Sequence, residues 1–227
     1  MTAARGTLAV SAVLAPVGPC PVCRGAGAAF MHVEGRDYGR CDACFARYVA
    51  RRHLPDRATE AAQYDLHQNR VDDPSYRRFL SKLADPLLER LAPGARGFDY
   101  GCGPGPALAA MLAEAGHPTA IFDPVYAPDP APLAQSHDFI TCTEVAEHFH
   151  DPAAEFDRLA AMLNPGGWLA VMTSFQTDDA RFATWQYRRD PTHVVFYRAA
   201  TFDHIARTHG LSCEVPCKDV ALMRRPA

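Results

Sequence analysis

Apolar positions in the second half of the chain alternate between short continuous runs and longer runs with helical spacing. The short runs, such as FDY before residue 101 and WLAVM from residue 168, have the length and composition of buried strands. The longer runs, residues 106–115 and 151–163, repeat apolar side chains at helical spacing and end at Gly or Asn-Pro. This alternation of strands and helices predicts a doubly wound α/β fold with a mostly parallel sheet.

Two more helices are predicted before this region, in DRATEAAQYDLHQNR and in the segment that starts at Asp72. The second follows an Asp-Asp-Pro start signal, and we expect Pro86 to end or kink it. In the first, a polar cluster contains Tyr64 and His67, which are candidate contacts to a bound cofactor if this helix covers the ligand site. A solvated helix face is the alternative interpretation.

The stretch DYGCGPG, residues 99–105, joins a predicted strand to a predicted helix. Glycines at such a turn let a ligand approach the main chain, and the helix N-terminus offers free amide groups. A second strand, TAIFD, ends in Asp123, where an acid can accept hydrogen bonds from the hydroxyls of a ribose. The glycine spacing of dinucleotide-binding dehydrogenases is absent, because Ala107 and Leu108 stand where another glycine is needed.

This loop, with Asp99 before it and Asp123 after it, resembles the cofactor-binding segment of class I S-adenosylmethionine-dependent methyltransferases. The order of the later strands, helices and PGG turn fits the same family over about residues 75–227. The resemblance implies S-adenosylmethionine as cofactor, with Asp99 near the methionine amine and Asp123 on the ribose. The residues expected at the cofactor in this domain are Asp99, Gly101, Cys102, Gly103, Gly105, Asp123, Thr143 and Glu144.

One part of the family pattern is missing. Only 15 residues separate Asp123 from Phe139, and four of them are prolines. We therefore predict a Rossmann-like sheet that is shortened between its second and fourth strands, and the contacts to adenine are left unassigned.

The stretch TCTEVAEHFHDP, residues 141–152, follows the predicted fourth strand. In doubly wound folds ligands bind beyond the carboxyl ends of the strands. A helix that began near Glu144 would place Glu147 and His148 on one face. His193 lies in the loop after the fifth strand, and loops carry functional residues more often than packing residues. Glu144, His148 and His193 are therefore the candidate catalytic residues.

An ExxEH run combined with a later histidine resembles two metal-assisted groups, the ubiquinone-pathway O-methyltransferases and the small-RNA 3′-terminal 2′-O-methyltransferases. The resemblance implies a divalent ion held by Glu144, Glu147, His148 and His193, and such ligands suit Mg²⁺, Mn²⁺ or Fe²⁺. Two alternatives stay open at this point. One is a metal-free catalytic role for His148 or His193, and the other is a purely structural role for all four residues.

Two CxxC pairs near the N-terminus, Cys20 with Cys23 and Cys41 with Cys44, are separated by 17 residues. This spacing predicts a four-cysteine zinc site, and two short strands are expected between the pairs. A segment of about 30 residues cannot bury enough apolar surface to fold alone, so zinc would stabilise it. Two disulfide bonds in a secreted protein are the alternative.

The net charge of −3 is unevenly distributed, since residues 1–57 contain eight arginines and four acidic residues. This basic segment could meet an acidic partner such as RNA, and a solvated arginine surface is the alternative. No run of about 18 apolar residues occurs, so no membrane span is expected. Residues 1–19 are rich in Ala and interrupted by Pro16, which favours a loose tail over a secretory signal and predicts a cytoplasmic protein.

The predicted organisation is a flexible tail (1–18), a zinc ribbon (19–50), linker and lid helices (51–92) and an S-adenosylmethionine-binding domain (93–227). The predicted function is methyl transfer to an oxygen of a small molecule. An RNA methyltransferase that uses the ribbon to contact RNA, and a non-catalytic module that only binds the cofactor, are the alternatives. The oligomeric state is not predicted.

Overall fold

The computed structural model describes residues 14–66 and 69–227. These residues form ten strands and six helices, joined by loops and short 3-10 turns. The strands are β1 (Ala28–Val33), β2 (Arg36–Arg40), β3 (Arg47–Val49), β4 (Gly97–Tyr100), β5 (Thr119–Phe122), β6 (His137–Thr143), β7 (Leu163–Met172), β8 (Val195–Phe196), β9 (Ser212–Cys217) and β10 (Val220–Arg224). The helices are α1 (Arg57–Tyr64), α2 (Pro74–Leu88), α3 (Ala107–Glu114), α4 (Pro152–Ala161), α5 (Gln186–Arg189) and α6 (Ala199–Thr208).

The central sheet has six strands in the order β5-β4-β6-β7-β10-β9. The first four are parallel, and β10 runs antiparallel to both of its neighbours. Successive residues of β7 enter different cores: Leu169 and Val171 pack with α4 and α6, whereas Ala170 and Met172 pack with α2 and α3. Helices therefore cover both faces of the sheet, and the predicted α/β fold class is confirmed.

The sheet is shortened where the sequence indicated. β5 is an edge strand, and the described residues between it and β6 form a 3-10 turn (Ala131–Ala134) and an isolated bridge from Asp123 to Ala127. Prolines cannot donate to a strand ladder, so the four prolines of this segment explain why no third strand forms here.

One local prediction was wrong, and the expectation that Pro86 ends or kinks α2 fails for its first alternative while the kink stays a prediction. The NPGGW stretch lies inside β7 as an irregularity with Gly166 at a φ of 77°, so the register with β6 shifts there. Pro86 does not end α2, which continues to Leu88. The carbonyl of Lys82, which loses its helical partner at Pro86, lies 3.5 Å from Sγ of Cys217.

A second sheet contains the predicted ribbon strands in the order β1-β2-β3-β8. Its fourth strand, β8, is distant in sequence from the other three and begins at Val195, shortly after His193. The buried side chains of Tyr38 and Tyr48 belong to the same hydrophobic core as Phe156 of α4 and Phe202 of α6. The ribbon therefore packs as part of the larger domain, while the predicted domain boundaries stay a prediction.

Residues 1–13, most of the predicted tail, lie outside the described residues, as do His67 and Gln68. In the two described segments, every helix is too short or too polar to cross a membrane. The cytoplasmic location stays a prediction.

Candidate active site

The glycine loop between β4 and α3 turns through left-handed backbone. Gly101 and Gly103 have φ angles of 79° and 63°, a region that side chains disfavour. A Cβ atom on Gly101 would lie 2.5 Å from Cγ2 of Val145, whereas one on Gly103 would meet no atom within 4 Å. Gly103 therefore borders open space, where a ligand can approach the main chain closely.

A cavity lies beside this loop, and the polar side chains of Asp99 and Thr143 are part of its lining. The carboxylate of Asp99 is buried and accepts a hydrogen bond from Oγ1 of Thr141 at 2.7 Å. Burial raises the pKa of Asp99 to about 6, although the Thr141 hydrogen bond opposes the shift. The hydroxyl of Thr143 is buried without a hydrogen-bond partner. The cavity is lined by Tyr76, Leu80, Asp99, Gly101, Cys102, Ala107, Leu108 and Thr143.

These groups fit the amino-acid portion of S-adenosylmethionine. A buried carboxylate is stabilised by an ammonium group, and a buried hydroxyl without a partner can donate to a carboxylate. Cys102 and Thr143, which we expected at the cofactor, lie on this cavity together with Asp99 and Gly101.

Asp123 lies at the end of β5, beside the glycine loop. Its Oδ2 accepts from the amide of Gly103 at 3.1 Å, and its Oδ1 accepts from the amides of Val125 and Tyr126 at 2.8 and 3.0 Å. A carboxylate has about four acceptor sites. One therefore remains on Oδ2, which leaves room for a single ribose hydroxyl as the loop stands.

Helix α1 and two described residues that follow it, Asp65 and Asn69, lie at the rim of the site. The ring of Tyr64 stands perpendicular to that of His148, with centroids 5.2 Å apart, so Tyr64 faces the candidate catalytic residues instead of the Asp99 cavity. A Cβ atom on Gly105 would lie 2.2 Å from the main-chain oxygen of Asn69, which shows how closely Asn69 approaches the glycine loop. His67, the other predicted contact, lies outside the described residues. The remaining links to the rim are Glu60–His150, Gln63–Asp190 and Asp65–Tyr126.

The ExxEH segment does not form the expected helix. β6 ends at Thr143, Glu144 has a left-handed φ of 52°, and a 3-10 turn spans Ala146–His148. The amide of Glu144 donates to the carbonyl of Met172 at 2.8 Å, which holds this reversal against β7. As a result Glu144 and Glu147 do not share a helical face.

Three of the four predicted metal ligands nevertheless lie together. Glu147, His148 and His193 each offer a ligand atom, and these atoms lie within 4.8 Å of one another. We call these three residues the His₂Glu cluster. Glu144 does not join them, so the predicted four-ligand set is reduced to one carboxylate and two imidazoles.

Hydrogen bonds orient both imidazoles of the His₂Glu cluster. Nδ1 of His148 lies 3.1 Å from the carbonyl of Thr192, and Nδ1 of His193 lies 2.7 Å from the carbonyl of Tyr187. Because a carbonyl oxygen can only accept, Nδ1 carries the proton in each ring and Nε2 presents a lone pair. Burial lowers the pKa of His193, which favours its neutral form.

The two carboxyl groups of the segment have different surroundings. Glu147 is fully buried; its Oε1 accepts from the hydroxyl of Tyr187 at 2.5 Å, and its Oε2 has no hydrogen-bond partner. Burial, reinforced by the charge of Glu147, raises the pKa of Glu144 to about 9. Glu144 is therefore protonated at neutral pH. A buried carboxylate oxygen without a partner beside two imidazole lone pairs fits a divalent metal ion.

Comparison with known proteins identifies the family. A family model described as a methyltransferase domain matches residues 73–214, more than half of the chain. The chain belongs to this methyltransferase family. The predicted family and enzyme class, an S-adenosylmethionine-dependent methyltransferase, are thereby confirmed for the matched domain.

The ubiquinone biosynthesis O-methyltransferases of Xylella fastidiosa are 33% identical over 111 residues, an alignment that covers 37% of this methyltransferase and 44% of the relative. The chain thus matches less than half the length of these curated relatives. A Burkholderia thailandensis 1,6-didemethyltoxoflavin-N1-methyltransferase, solved with bound 1,6-didemethyltoxoflavin and S-adenosylhomocysteine, shares the fold. Its TM-score is 0.51 at 18% identity, over 87% of this chain and 98% of that one. The O-methyltransferase NcsB1 of neocarzinostatin biosynthesis, solved with S-adenosylmethionine, gives a TM-score of 0.50 at 16% identity, over 76% and 58%.

The four predicted zinc ligands of the methyltransferase form one cluster. The Sγ atoms of Cys20 and Cys44, and those of Cys23 and Cys41, lie 3.5 Å apart, and all four are within 4.8 Å of one another. Tetrahedral zinc with Zn–S bonds of about 2.3 Å would place sulfur atoms ~3.8 Å apart. The hydrogen bond from Cys44 lowers the pKa of Cys20 to about 6, whereas burial raises the pKa of Cys23 and the hydrogen bond to Cys20 raises that of Cys44. The four side chains fit a structural zinc ion.

Proposed function

We propose that this methyltransferase transfers the methyl group of S-adenosylmethionine to a hydroxyl oxygen of a small molecule. The observation that supports this proposal is the His₂Glu cluster, in which Glu147 and His193 are buried and His148 is partly buried. Val145, two residues before Glu147, packs on Gly101 of the glycine loop. The cluster therefore lies next to the proposed cofactor site, where an acceptor has to meet the methyl group.

An acceptor hydroxyl has to lose its proton as its oxygen attacks the methyl carbon. Without a bound ion, the Nε2 lone pair of His148 or His193 can take that proton. Their Nδ1 hydrogen bonds hold the rings in the required tautomer. A divalent ion bound by the cluster would occupy these lone pairs; it would instead lower the pKa of the acceptor hydroxyl, whose proton would then pass to water.

The ligand types narrow the choice of ion. Glu144 is neutral and outside the cluster, so the cluster offers only one carboxylate. Two imidazoles with one carboxylate suit Fe²⁺, Mn²⁺ or Zn²⁺ better than Mg²⁺, which prefers oxygen ligands. We therefore propose one of the first three ions.

The internal contacts of the arginines in and near the ribbon favour a small acceptor over RNA. Five of the seven arginines between residues 14 and 57 already contact acceptors within the protein, which leaves few free for phosphate groups. The name of the curated relatives, which are O-methyltransferases, supports oxygen as the methylated atom. The five engaged arginines are Arg24, Arg36, Arg40, Arg47 and Arg52.

Radiolabelled methyl transfer tests this proposal. The enzyme is incubated with S-adenosylmethionine labelled on its methyl group, Mn²⁺, and either a panel of small molecules with hydroxyl groups or total RNA. We expect label in the small-molecule fraction as a methyl ether, and at least a 100-fold loss in His193→Ala. His209→Ala is the matched control, since His209 bonds to Ile205 and Asp157 at the end of α6. Label confined to RNA, or equal rates in the two variants, contradicts the proposal.

A further inference from the structure

The zinc ribbon and the loop that carries His193 are joined by main-chain hydrogen bonds. In the ribbon sheet, Arg47 and Tyr48 of β3 pair with Phe196 and Val195 of β8. Beyond that pair, the amide of Val49 donates to the carbonyl of Val194 at 2.8 Å.

Val194 also reaches the ExxEH segment. Its own amide donates to the carbonyl of Glu147 at 2.8 Å. Val194, which follows His193 directly, thus links β3 of the ribbon to Glu147 of the His₂Glu cluster. A displacement of β3 would be transmitted to two of the three cluster residues.

Arg36, the first residue of β2, adds a side-chain link to the same loop. Its guanidinium donates to the carbonyls of Asp190, Pro191 and His193 at 3.4, 3.2 and 3.4 Å. A planar guanidinium can serve several acceptors in a fixed geometry, which a lysine ammonium cannot match. Arg36 therefore holds the main chain on both sides of the turn that presents His193.

The other end of the loop is tied to the ribbon through Arg188. This side chain is 1% exposed and donates to the hydroxyl of Tyr38 at 3.1 Å and to the carboxylate of Glu34 at 2.8 Å. The adjacent residue, Tyr187, supplies the carbonyl that orients the His193 ring. The ribbon thus contacts both ends of residues 187–194, and the ring of His193 is anchored within that span.

We propose that the ribbon is a positioning element of the active site, and that Arg36 is the residue that holds the 190–193 loop so that His193 faces Glu147 and His148. The chemistry of the cluster rests on the proposed function, whereas the hold of Arg36 on the loop does not depend on it. Zinc, by stabilising the ribbon, would then support methyl transfer as well as folding.

The test compares Arg36→Met with Arg40→Met, a matched control at the other end of β2. Arg40 is exposed. Among the described residues its one ion-pair partner is Asp42, with 3.5 Å between Nε and Oδ1. Three measurements are made on each full-length variant: amide hydrogen exchange of residues 190–196, the dissociation constant for Mn²⁺, and that for S-adenosylmethionine. Arg36→Lys, which keeps the charge but not the planar donor geometry, is measured alongside.

For Arg36→Met we expect at least tenfold faster exchange at Val194 and a 10- to 100-fold weaker affinity for Mn²⁺, the range seen when groups that orient metal ligands are lost. The affinity of Arg36→Met for S-adenosylmethionine should stay within twofold of the wild type. In amide exchange and in Mn²⁺ affinity, Arg36→Lys should lie between the wild type and Arg36→Met. Arg40→Met should match the wild type in all three. Equal exchange and equal Mn²⁺ affinity in Arg36→Met and Arg40→Met would overturn the proposal.

A further readout separates this proposal from the metal hypothesis. If the wild type does not bind Mn²⁺, the metal part of the proposed function fails, and the ¹⁵N spectrum of the His193 ring then decides the positioning role. Loss of the Nδ1–H form in Arg36→Met, with retention in Arg40→Met, supports it; an unchanged ring spectrum contradicts it. Should Arg36→Met fail to fold, the same comparison is made with Arg36→Lys.

Discussion

The hydroxyl of Tyr187 donates to Oε1 of Glu147 at 2.5 Å and leaves Oε2 of that carboxylate buried without a partner. The same hydroxyl lies 2.9 Å from Oγ1 of Thr173. Tyr187 is therefore held against the end of β7 and engages one oxygen of the Glu147 carboxylate, which leaves the other oxygen available. Groups of this kind, one step removed from the ligands, commonly set the affinity of a metal site.

Tyr187→Phe should weaken binding of Mn²⁺ by about 10- to 100-fold, because Glu147 loses the hydrogen bond that orients it. Calorimetric titration with Mn²⁺ measures the effect, and the affinity for S-adenosylmethionine should be unchanged. Tyr126→Phe is the control, since that hydroxyl bonds to Asp65 on the protein surface. Equal Mn²⁺ affinities for the two variants would show that Tyr187 only fills space.

Glu147→Gln and Glu144→Gln should have opposite outcomes. Glu147 supplies the carboxylate of the His₂Glu cluster, so its amide variant should lose at least 100-fold in Mn²⁺ affinity. Glu144 has a pKa raised to about 9 by burial and by Glu147, so at pH 7 its protonated group resembles the amide that replaces it. Mn²⁺ affinity in Glu144→Gln should stay within threefold of the wild type. A comparable loss in both variants would restore the four-ligand site expected from the sequence.

Binding of S-adenosylmethionine should weaken at acid pH because of Asp99. Burial raises the pKa of this carboxyl to about 6, and only the ionised form attracts the cationic amine. Protons therefore compete with the ligand below about pH 6, and the apparent affinity should fall up to tenfold per pH unit, whereas it should be nearly constant from pH 7 to 8. Calorimetry between pH 5 and 8 measures this. Asp99→Asn should bind weakly at every pH; a wild-type profile without this slope would contradict the assignment of Asp99.

The alternation of strands and helices was sufficient to predict the fold class, and the prolines after Asp123 correctly indicated the missing strand. The site was harder to predict, because its geometry depends on one backbone angle. Glu144 adopts a left-handed φ, which replaces the expected helix by a 3-10 turn and separates Glu144 from Glu147. No sequence pattern around an acidic residue at a strand end predicts such a conformation.

Contacts between segments that are distant in sequence also could not be predicted from the sequence. The hydrogen bond from Thr141 to Asp99 follows from their pairing across β4 and β6, a register that only the assembled sheet defines. The role of Tyr187 depends on a loop that folds back onto the ExxEH segment. Likewise, nothing in VVFY indicates that Val195 and Phe196 complete the sheet of an N-terminal ribbon.

Removal of one zinc ligand should destabilise the whole methyltransferase and not only its ribbon. The ribbon shares β8 and a continuous hydrophobic core with the larger domain, so the two should unfold together. We expect about one zinc per wild-type chain by elemental analysis and none in Cys41→Ser. A loss of about 4 kcal/mol would lower the melting temperature by roughly 8–16 °C for a chain of this size. Cys213→Ser, which changes a half-buried cysteine outside the cluster, should keep the zinc and the melting temperature. Zinc-free wild-type protein with no titratable thiols at positions 20, 23, 41 and 44 would instead establish disulfide bonds.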